Sequence, residues 1–431
     1  MSETLFLGRV LSFHRRPEGA HDEAAFTYHE AGAVHVRDGR IVAMGDADDV
    51  RKSVYGAHVV DHRPHLILPG FIDMHLHFPQ VQVLASWGKD LLDWLNKYTF
   101  VEEQRFAEMA HCEAMATGFY DGLLRNGTST GVAYGSVHAT SAEAMFAEAE
   151  RRGMRMIGGK VMMDCHAPEA LLDTAQTGYD ESLALIERWH GKGRLSYAIT
   201  PRFALTSTPE QLEAAGALCA LHPECYMQTH VSENLTEIER ARELYPDAPD
   251  YVGIYERYGL LGVRALLGHA IHLEPREIDV IAGTGAKPVF CPTSNLFLGS
   301  GLYDDAGLRA RGIQGAIATD IGGGTSYSML QTLNEGYKVL QLRGQQMHPY
   351  QAFDWITRGN AEALGLVQEI GTLKAGSVAD MVVLDARATP EMTLRADRIE
   401  TLAEELFLLM IMGDDRAIAQ TYVTGAAQKD V

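Results

Sequence analysis

The first residues that could do chemistry are two histidines at the end of a predicted strand. The segment ILPGFIDMH continues into LH, so that His75 and His77 stand two residues apart. Side chains two apart on a strand point to the same side. Two imidazoles on one side can hold one metal ion, and neutral imidazole is a good ligand for zinc. The pair therefore predicts part of a metal site.

Three later predicted strands end in residues of the same kinds. Strand five ends in His230, and Glu233 follows three residues later. Strand six ends in His269, and strand eight ends in Asp320. A single histidine at a strand end is usually structural. Imidazoles and carboxylates at the ends of four strands of one barrel would meet at its mouth, however, and this joint pattern predicts a metal site.

These residues must be positioned by the central part of the chain, in which strands and helices alternate. Helix-like segments such as AEAMFAEAERR and YDESLALIERWH separate most of the strands between about residues 68 and 366. Eight such units predict an α/β fold of the (β/α)8 TIM-barrel type. In chain order the candidate strands are ILPGFIDMH, STGVAYGSV, MRMIGGKVMM, LSYAITPRF, CYMQTHVS, ALLGHA, AKPVFCP and IQGAIATD.

Both ends of the chain have a different character, with short strands joined by turns. One example is AGAVHVRDGRIVAMGDADDV, with a turn predicted at Asp38-Gly39. The same pattern returns in residues 371–386 and in TYVTGAAQ near the end. We predict a small β-sandwich-like domain built from residues 1–68 and 370–431, and a barrel formed by residues 69–369.

One metal ion per chain is expected, because no residue stands where a second ion would need a bridging ligand. Strand four ends in TPRF, without a lysine at its tip. Lys160 lies inside predicted strand three, where a packed or snorkelling side chain is the simpler interpretation.

Three further motifs suggest other chemistry but lack its context. GTSTG (residues 127–131) matches the G-x-S-x-G nucleophile motif but precedes a strand, so we interpret it as a turn into strand two. HCE (111–113) and HLE (272–274) lack the downstream P-C-x-x-C of the other zinc deaminase class. GGG (322–324) lacks the lysine and the spacing of a phosphate loop.

Composition limits the expected partners and location. The 431 residues contain 37 Lys and Arg against 57 Asp and Glu, a net charge of −20, which argues against nucleic acid and anionic membranes as partners. The amino terminus lacks the apolar core of a signal peptide, and the apolar run 406–412 is too short to cross a bilayer. No C-x-x-C pair occurs, which predicts reduced, buried thiols in a cytoplasmic protein. The cysteines are Cys112, Cys165, Cys219, Cys225 and Cys291.

Several segments resemble the guanine deaminases of the amidohydrolase superfamily, from roughly residue 30 to the end. The most specific are HFPQ in PGFIDMHLHFPQ, the segment LLDWLNKYTFVEEQRF, and PRF in TPRFALTS. KVMMD, QTHVSEN, FCPTSNLFLGSGL, TDIGGGTSYSMLQTLNEGYKVLQL and MGDDR also match, whereas the H-x-H pair and the strand-eight aspartate are shared by the whole superfamily. Some relatives have other residues at Phe78 and Pro79, which affects the fit of a purine and not the metal site.

The resemblance implies that this chain removes the C2 amino group of guanine by hydrolysis, giving xanthine and ammonia, a step of guanine catabolism. It also implies a homodimer. A zinc ion lowers the pKa of a bound water to about 7, and a carboxylate beside it can move protons. The implied zinc ligands are His75, His77, His230 and Asp320, and the implied catalytic residues are Glu233 as proton shuttle, His269 to orient the water or polarise the reacting centre, and Asp320.

The resemblance also implies the residues that contact the purine. Arg202 can donate to its oxygen-bearing edge, and Gln80 can donate and accept along another edge. Phe203 either stacks on the ring or fills the barrel core. His77, His230 and Glu233 are expected to touch the substrate as well.

The segment after strand one contains three large aromatic side chains. Trp87, Trp94 and Tyr98 either cover the site or simply pack, because their spacing fits one face of a helix.

Two other functions remain open from the sequence. A sibling enzyme on the same fold would deaminate another purine, a pterin or a triazine, and Gln80 and Arg202 discriminate against it. A non-catalytic assembly protein on this fold would have little use for an intact set of metal ligands.

Overall fold

The computed structural model describes residues 3–89 and 91–429, which form two β-sheets and the helices around them. In chain order the strands are β1 (Glu3–Phe13), β2 (Phe26–Arg37), β3 (Arg40–Asp46), β4 (His58–Pro69), β5 (Phe71–His77), β6 (Thr128–Tyr134), β7 (Arg155–Gly159), β8 (Val161–Met162), β9 (Leu195–Pro201), β10 (Tyr226–Val231), β11 (Ala265–His269), β12 (Lys287–Phe290), β13 (Ala316–Ile317), β14 (Met381–Leu384), β15 (Ile418–Val423) and β16 (Ala426–Ala427).

The helices lie mostly between the barrel strands. The α-helices are α1 (Ala47–Arg51), α2 (Leu91–Trp94), α3 (Phe100–Glu103), α4 (Met109–Arg125), α5 (Ala139–Arg152), α6 (Ala175–Trp189), α7 (Pro209–Leu221), α8 (Leu235–Leu244), α9 (Tyr251–Arg257), α10 (Pro275–Thr284), α11 (Pro292–Phe297), α12 (Asp305–Ala310), α13 (Met329–Leu342), α14 (Pro349–Asp354), α15 (Asn360–Ala363), α16 (Pro390–Ala396) and α17 (Leu402–Met412). Short 3-10 helices span Glu23–Ala25, Phe78–Val83, Gln104–Ala107, Glu169–Leu171, Ala204–Thr206 and Asp415–Ala417. Two π-helical segments span Leu95–Thr99 and Trp355–Gly359.

The first sheet is made from both ends of the chain, as the sequence predicts. Its strand order is β16-β15-β14-β4-β1-β2-β3, with β4 from the amino-terminal part paired antiparallel with β14 from the carboxyl-terminal part. The predicted turn at Asp38-Gly39 joins β2 to β3, and both residues have positive φ (50° and 77°), as a two-residue type I′ hairpin requires. Helices α16 and α17 interrupt the carboxyl-terminal strands, a feature that the strand pattern did not predict.

The second sheet is a barrel of eight parallel strands, which confirms the predicted fold class. Its strand order is β13-β12-β11-β10-β9-β7-β6-β5, and it closes where the backbone N–H of Asp320 donates to His75 and that of His77 donates to Ile321. Every one of the eight strands contributes an apolar side chain to a single buried cluster, as in a packed barrel interior. One residue from each is Ile72, Val132, Ile157, Ala198, Tyr226, Leu266, Val289 and Ala316.

Two strands differ from their predicted extents. Predicted strand three is divided at Lys160 into β7 and β8, and predicted strand eight is reduced to β13. Lys160 is not a snorkelling side chain, because it is fully buried between Asp173 (2.8 Å) and Glu181 (3.0 Å). Burial of an ammonium group requires charged partners of this kind. The motif GTSTG does not precede β6 as predicted: only Gly127 belongs to the turn, and residues 128–131 lie inside the strand. The motif therefore does not link a strand to a helix, as a nucleophile elbow would.

The prediction of buried cysteines is correct for three of the five. All five cysteines are free; three are buried, whereas Cys165 and Cys219 are partly exposed. The apolar run 406–412 belongs to α17, which packs on α13 and α14. Among the described residues, no helix has the length and apolar character needed to span a membrane.

Candidate active site

The four predicted metal ligands meet at the mouth of the barrel. Nε2 of His77 lies 3.1 Å from Nε2 of His230 and 3.3 Å from Oδ1 of Asp320. Nε2 of His75 lies 3.5 Å from the same carboxylate oxygen. His75, His77 and Asp320 are buried and His230 is partly buried, so the ligand atoms converge on a small volume largely shielded from bulk water.

The chemistry of these four residues fits a zinc ion. Nε2 of His75 and Oδ1 of Asp320 are buried without a hydrogen-bond partner among the described residues, and an ion would satisfy both. Nδ1 of His230 donates to the carbonyl oxygen of Arg202 (2.7 Å), which leaves the lone pair of its Nε2 directed at the cluster. Burial and the neighbouring imidazoles lower the pKa of His75 and His230 well below the ordinary value, so both rings are neutral, as metal ligands must be.

Glu233 and His269 lie beside this cluster. Nε2 of His269 is 3.3 Å from Oε2 of Glu233 and 3.9 Å from Oδ2 of Asp320. The amide nitrogen of Asn295 donates to Nδ1 of His269 (2.9 Å), which places the ring proton on Nε2, toward the cluster. Ser300 donates to Oε1 of Glu233 (2.8 Å), and Oε2 is the oxygen that faces His269.

The acid strength of Glu233 suits a group that both accepts and donates protons. Burial raises the pKa of its carboxyl to about 8, and the nearby Asp320 adds to that effect. A bound dication would act in the opposite direction and favour the carboxylate. A pKa near neutrality lets one carboxyl group act as base and then as acid.

A second carboxylate, that of Glu237, holds the backbone at Glu233 in place. Oε2 of Glu237 accepts the N–H groups of Glu233 (2.9 Å) and Asn234 (3.1 Å), while Tyr251 donates to its other oxygen (2.6 Å). Asn234 is the amino-terminal cap of α8, and Glu237 completes a capping box there. The loop after β10 is thereby fixed against the start of α8.

Several residues at the strand ends have a left-handed backbone. Ser232, His269 and Asp320 have φ values of 49°, 68° and 53°. Non-glycine residues in this region cost about 1–3 kcal/mol each and persist where the surroundings enforce them, typically at functional sites. The three strained positions follow β10, end β11 and follow β13, which are three of the four strand ends of the cluster.

Gln80 and Arg202 line the same pocket as the cluster, and a buried carboxylate joins them. Oε1 of Glu103 accepts from Nε2 of Gln80 (2.9 Å), and Oε2 accepts from Nη1 of Arg202 (2.7 Å). Phe203 also lines the pocket, with its ring centroid 6.2 Å from that of His230. Gly322 and Gly323 allow the chain after β13 to approach closely; a Cβ atom at 322 would lie 2.4 Å from Oε1 of Gln80.

The aromatic segment after β5 covers the site only in part. Trp94 is buried and lines the pocket together with Leu91 and Leu95. Trp87 does not share a helix face with Trp94: it precedes α2, is 70% exposed, and stacks with Lys97. Tyr98 is half-buried. Spacing suggested one continuous helix, but the chain forms a 3-10 turn that ends at Val83 and begins α2 only at Leu91.

Sequence reasoning missed the residues that position this site. Glu103 stands in the segment TFVEEQRF without any spacing that connects it to strand four. Asn295 and Ser300 lie in the matching segment FCPTSNLFLGSGL, but nothing in it indicates their partners. The one available signal was the N-x-x-E spacing of Asn234 and Glu237, which is that of a capping box. Cys291 is also buried close to His75, His269 and Asp320. Burial raises the pKa of its thiol well above the ordinary value, and the thiol donates to Val289, so it is a poor metal ligand.

Known proteins resemble this chain over nearly its whole length. The model of the amidohydrolase family matches residues 66–427. Guanine deaminase of Escherichia coli (strain K12) is 44% identical over 403 residues, which are 93% of this chain and 92% of that protein. A solved structure of E. coli guanine deaminase has a TM-score of 0.97 at 42% identity and covers 99% of both chains. A crystal structure of guanine deaminase from C. acetobutylicum with bound guanine in its active site has a TM-score of 0.89 at 26% identity, covering 99% of this chain and 100% of that one.

Proposed function

This chain belongs to the amidohydrolase family, and on that premise we propose that it hydrolyses guanine to xanthine and ammonia. The similarity to guanine deaminases supports the reaction. One observation carries the proposal: a single pocket is lined both by a converging set of imidazoles and carboxylates and by Gln80 and Arg202, which Glu103 joins by hydrogen bonds. The imidazoles and carboxylates can catalyse a hydrolysis, and the Gln80–Glu103–Arg202 group can bind a polar heterocycle.

We assign one zinc ion to His75, His77, His230 and Asp320. Imidazole nitrogens and carboxylate oxygens are ligand types that zinc takes in proteins, so these four residues would hold the ion. When bound, zinc lowers the pKa of a water molecule to about 7 and so supplies a nucleophile at neutral pH. The unpartnered His75 and Asp320 atoms support the assignment.

Glu233 and His269 carry the proton transfers in this proposal. Glu233 takes one proton of the attacking water with Oε2 and delivers it to a ring nitrogen of the purine. It then takes the remaining proton of the hydroxyl group added at C2 and passes it to the 2-amino group, which leaves as ammonia as the C2–N bond breaks and the C2 carbonyl forms. Ser300 keeps the other carboxyl oxygen in place. The Nε2–H of His269 points at the same volume and stabilises the negative charge that develops as the water attacks.

Substrate binding follows from the rest of the pocket. With C2 of guanine at the metal cluster beside His77 and His230, the oxygen-bearing edge of the purine faces Arg202. Phe203 borders the ring as a pocket wall. The pocket is buried and apolar on its Leu91–Leu95 side, which suits a flat neutral base.

The activity is tested by incubating the purified protein with guanine, adenine, cytosine, pterin and a triazine while ammonia release is measured, with metal content determined in parallel. We expect ammonia from guanine above all others and one zinc per chain. Preference for pterin or a triazine would establish the sibling enzyme instead. No ammonia from any of them, with zinc present, would favour the non-catalytic alternative.

We also propose that the protein is a cytoplasmic homodimer. The free cysteines of the described part of the chain fit a reducing compartment. Light scattering at several concentrations tests the dimer, and a monomer mass throughout would reject it.

A further inference from the structure

Glu103 is a buried charge in the segment that covers the pocket. It is the last residue of α3, it is fully buried, and each of its carboxylate oxygens accepts a hydrogen bond from a different pocket residue. Oε1 accepts from Gln80 and Oε2 accepts from Arg202. A carboxylate taken out of water is costly unless it is paired in this way, and the pairing in turn constrains its partners.

The first consequence concerns the orientation of Gln80. Its amide can in principle present either the NH2 group or the oxygen to a ligand. The carboxylate of Glu103, paired with Arg202, can only accept hydrogen bonds, so it holds the NH2 group of Gln80. Oε1 of Gln80 is then the free group, and it is buried without a partner among the described residues.

The second consequence concerns Arg202. Its Nη1 is held by Glu103, its guanidinium lies 5.5 Å from the ring centroid of Phe100, and the side chain is 3% exposed. The charge of this buried guanidinium is balanced by Glu103, and its planar fork is fixed in one orientation. Both residues line the pocket, so a ligand placed against them would find Gln80 as a fixed acceptor beside Arg202 as a fixed donor.

We propose that Glu103 is a positioning residue that makes the pocket select a 6-oxo over a 6-amino purine. This inference rests on the proposed function. Guanine presents a donor, N1–H, next to an acceptor, the oxygen on C6, and so complements Gln80 and Arg202. A 6-aminopurine presents the reverse, an acceptor at N1 next to a donor amino group, and is mismatched at both positions. A site with buried polar groups rejects such a ligand strongly.

The test compares two bases that carry an amino group at C2, where the same hydrolysis is chemically possible for both. Guanine and 2,6-diaminopurine both carry a 2-amino group but differ in the pattern at N1 and C6. Glu103→Gln allows the amide of Gln80 to turn, because residue 103 can then donate as well as accept. We expect kcat/KM for guanine to fall at least ~10-fold, mainly through KM, and the guanine to diaminopurine ratio to narrow at least ~10-fold.

Glu102→Gln is the matched control. Glu102 is the preceding residue of the same helix, is largely buried, and pairs with Arg105 and His111 outside the pocket. We expect both substrates to be turned over with unchanged kcat/KM in this variant. Zinc content and melting temperature are measured for all proteins.

Because Glu103→Gln leaves Arg202 without its counter-ion, Glu103→Asp is tested beside it; the shorter carboxylate keeps the charge but reaches its partners less well. The proposal is supported if the ratio of kcat/KM for guanine to kcat/KM for 2,6-diaminopurine narrows in a variant that retains zinc and the wild-type melting temperature. Equal losses on both substrates, or an unchanged ratio, would overturn it. If the wild-type protein itself releases no ammonia from guanine, the proposed function fails before Glu103 is at issue.

Discussion

The two halves of the pocket are built in different ways. The metal half consists of His75, His77, His230 and Asp320 with Glu233 and His269, all at or just after the ends of barrel strands. The recognition half consists of Gln80, Glu103 and Arg202, of which only Arg202 follows a barrel strand directly. The other two belong to the segment between β5 and β6, and a single carboxylate connects the group.

Because of this difference, we expect the metal half to determine catalysis and the recognition half to determine which substrate is preferred. Residues on strand ends are fixed by the barrel itself, through backbone pairing such as Asp320 to His75. Residues of the recognition half depend on side-chain hydrogen bonds between segments 23 and 99 residues apart in sequence. Changes in the metal half should therefore abolish turnover of every substrate, whereas changes in the recognition half should alter which substrate is preferred.

The largest effect is expected for His75→Ala. The variant lacks one of three imidazole ligands, so zinc content and activity should fall together. The loss should exceed ~10⁴-fold, the upper range for one proton-transfer group, because the nucleophile is itself missing. Metal analysis and ammonia release measure the two quantities. A variant without zinc that still deaminates guanine at the wild-type rate would show that the cluster is not the catalytic centre.

A smaller loss is expected for Glu233→Gln, which keeps the shape of the side chain but cannot pass on a proton. Activity should fall by ~10²- to 10⁴-fold while zinc content stays near one per chain. Glu239→Gln, an exposed position on the following helix, is the control and should behave as wild type. Turnover of guanine near the wild-type rate in Glu233→Gln would exclude this residue as the proton shuttle.

The smallest effect of the three is expected in the recognition half. Arg202→Met should lower kcat/KM for guanine at least ~10-fold, since a hydrogen bond from a charged donor contributes about 1.5–3 kcal/mol. Zinc should remain bound. Because Met leaves Glu103 buried without a cation, Arg202→Lys serves as a companion that keeps the charge but loses the fork geometry. If both variants show wild-type kinetics on guanine, Arg202 does not contact the base.

The sequence by itself determined the barrel and the position of its chemistry. Eight segments with a βα rhythm predicted the closed sheet, and histidines two apart on one strand predicted neighbouring imidazoles, which lie 5.1 Å apart between ring centroids. These predictions succeed because strand periodicity and the carboxyl-end rule are local or topological. The metal and catalytic roles of the strand-end residues remain proposals, although the structure brings the residues together.

Only the tertiary structure decided how the site is supported and what it can select. Glu103, Ser300 and Asn295 act by contacts with residues distant in sequence, and no periodicity encodes such contacts. The exposure of Trp87 was also decided by the tertiary structure. Its spacing from Trp94 fits one helix face, but α2 begins only at Leu91, and Trp87 lies before it and is exposed to solvent. A hydrogen bond between buried groups depends on where two segments meet in space, and that position is set by the packing of the whole chain.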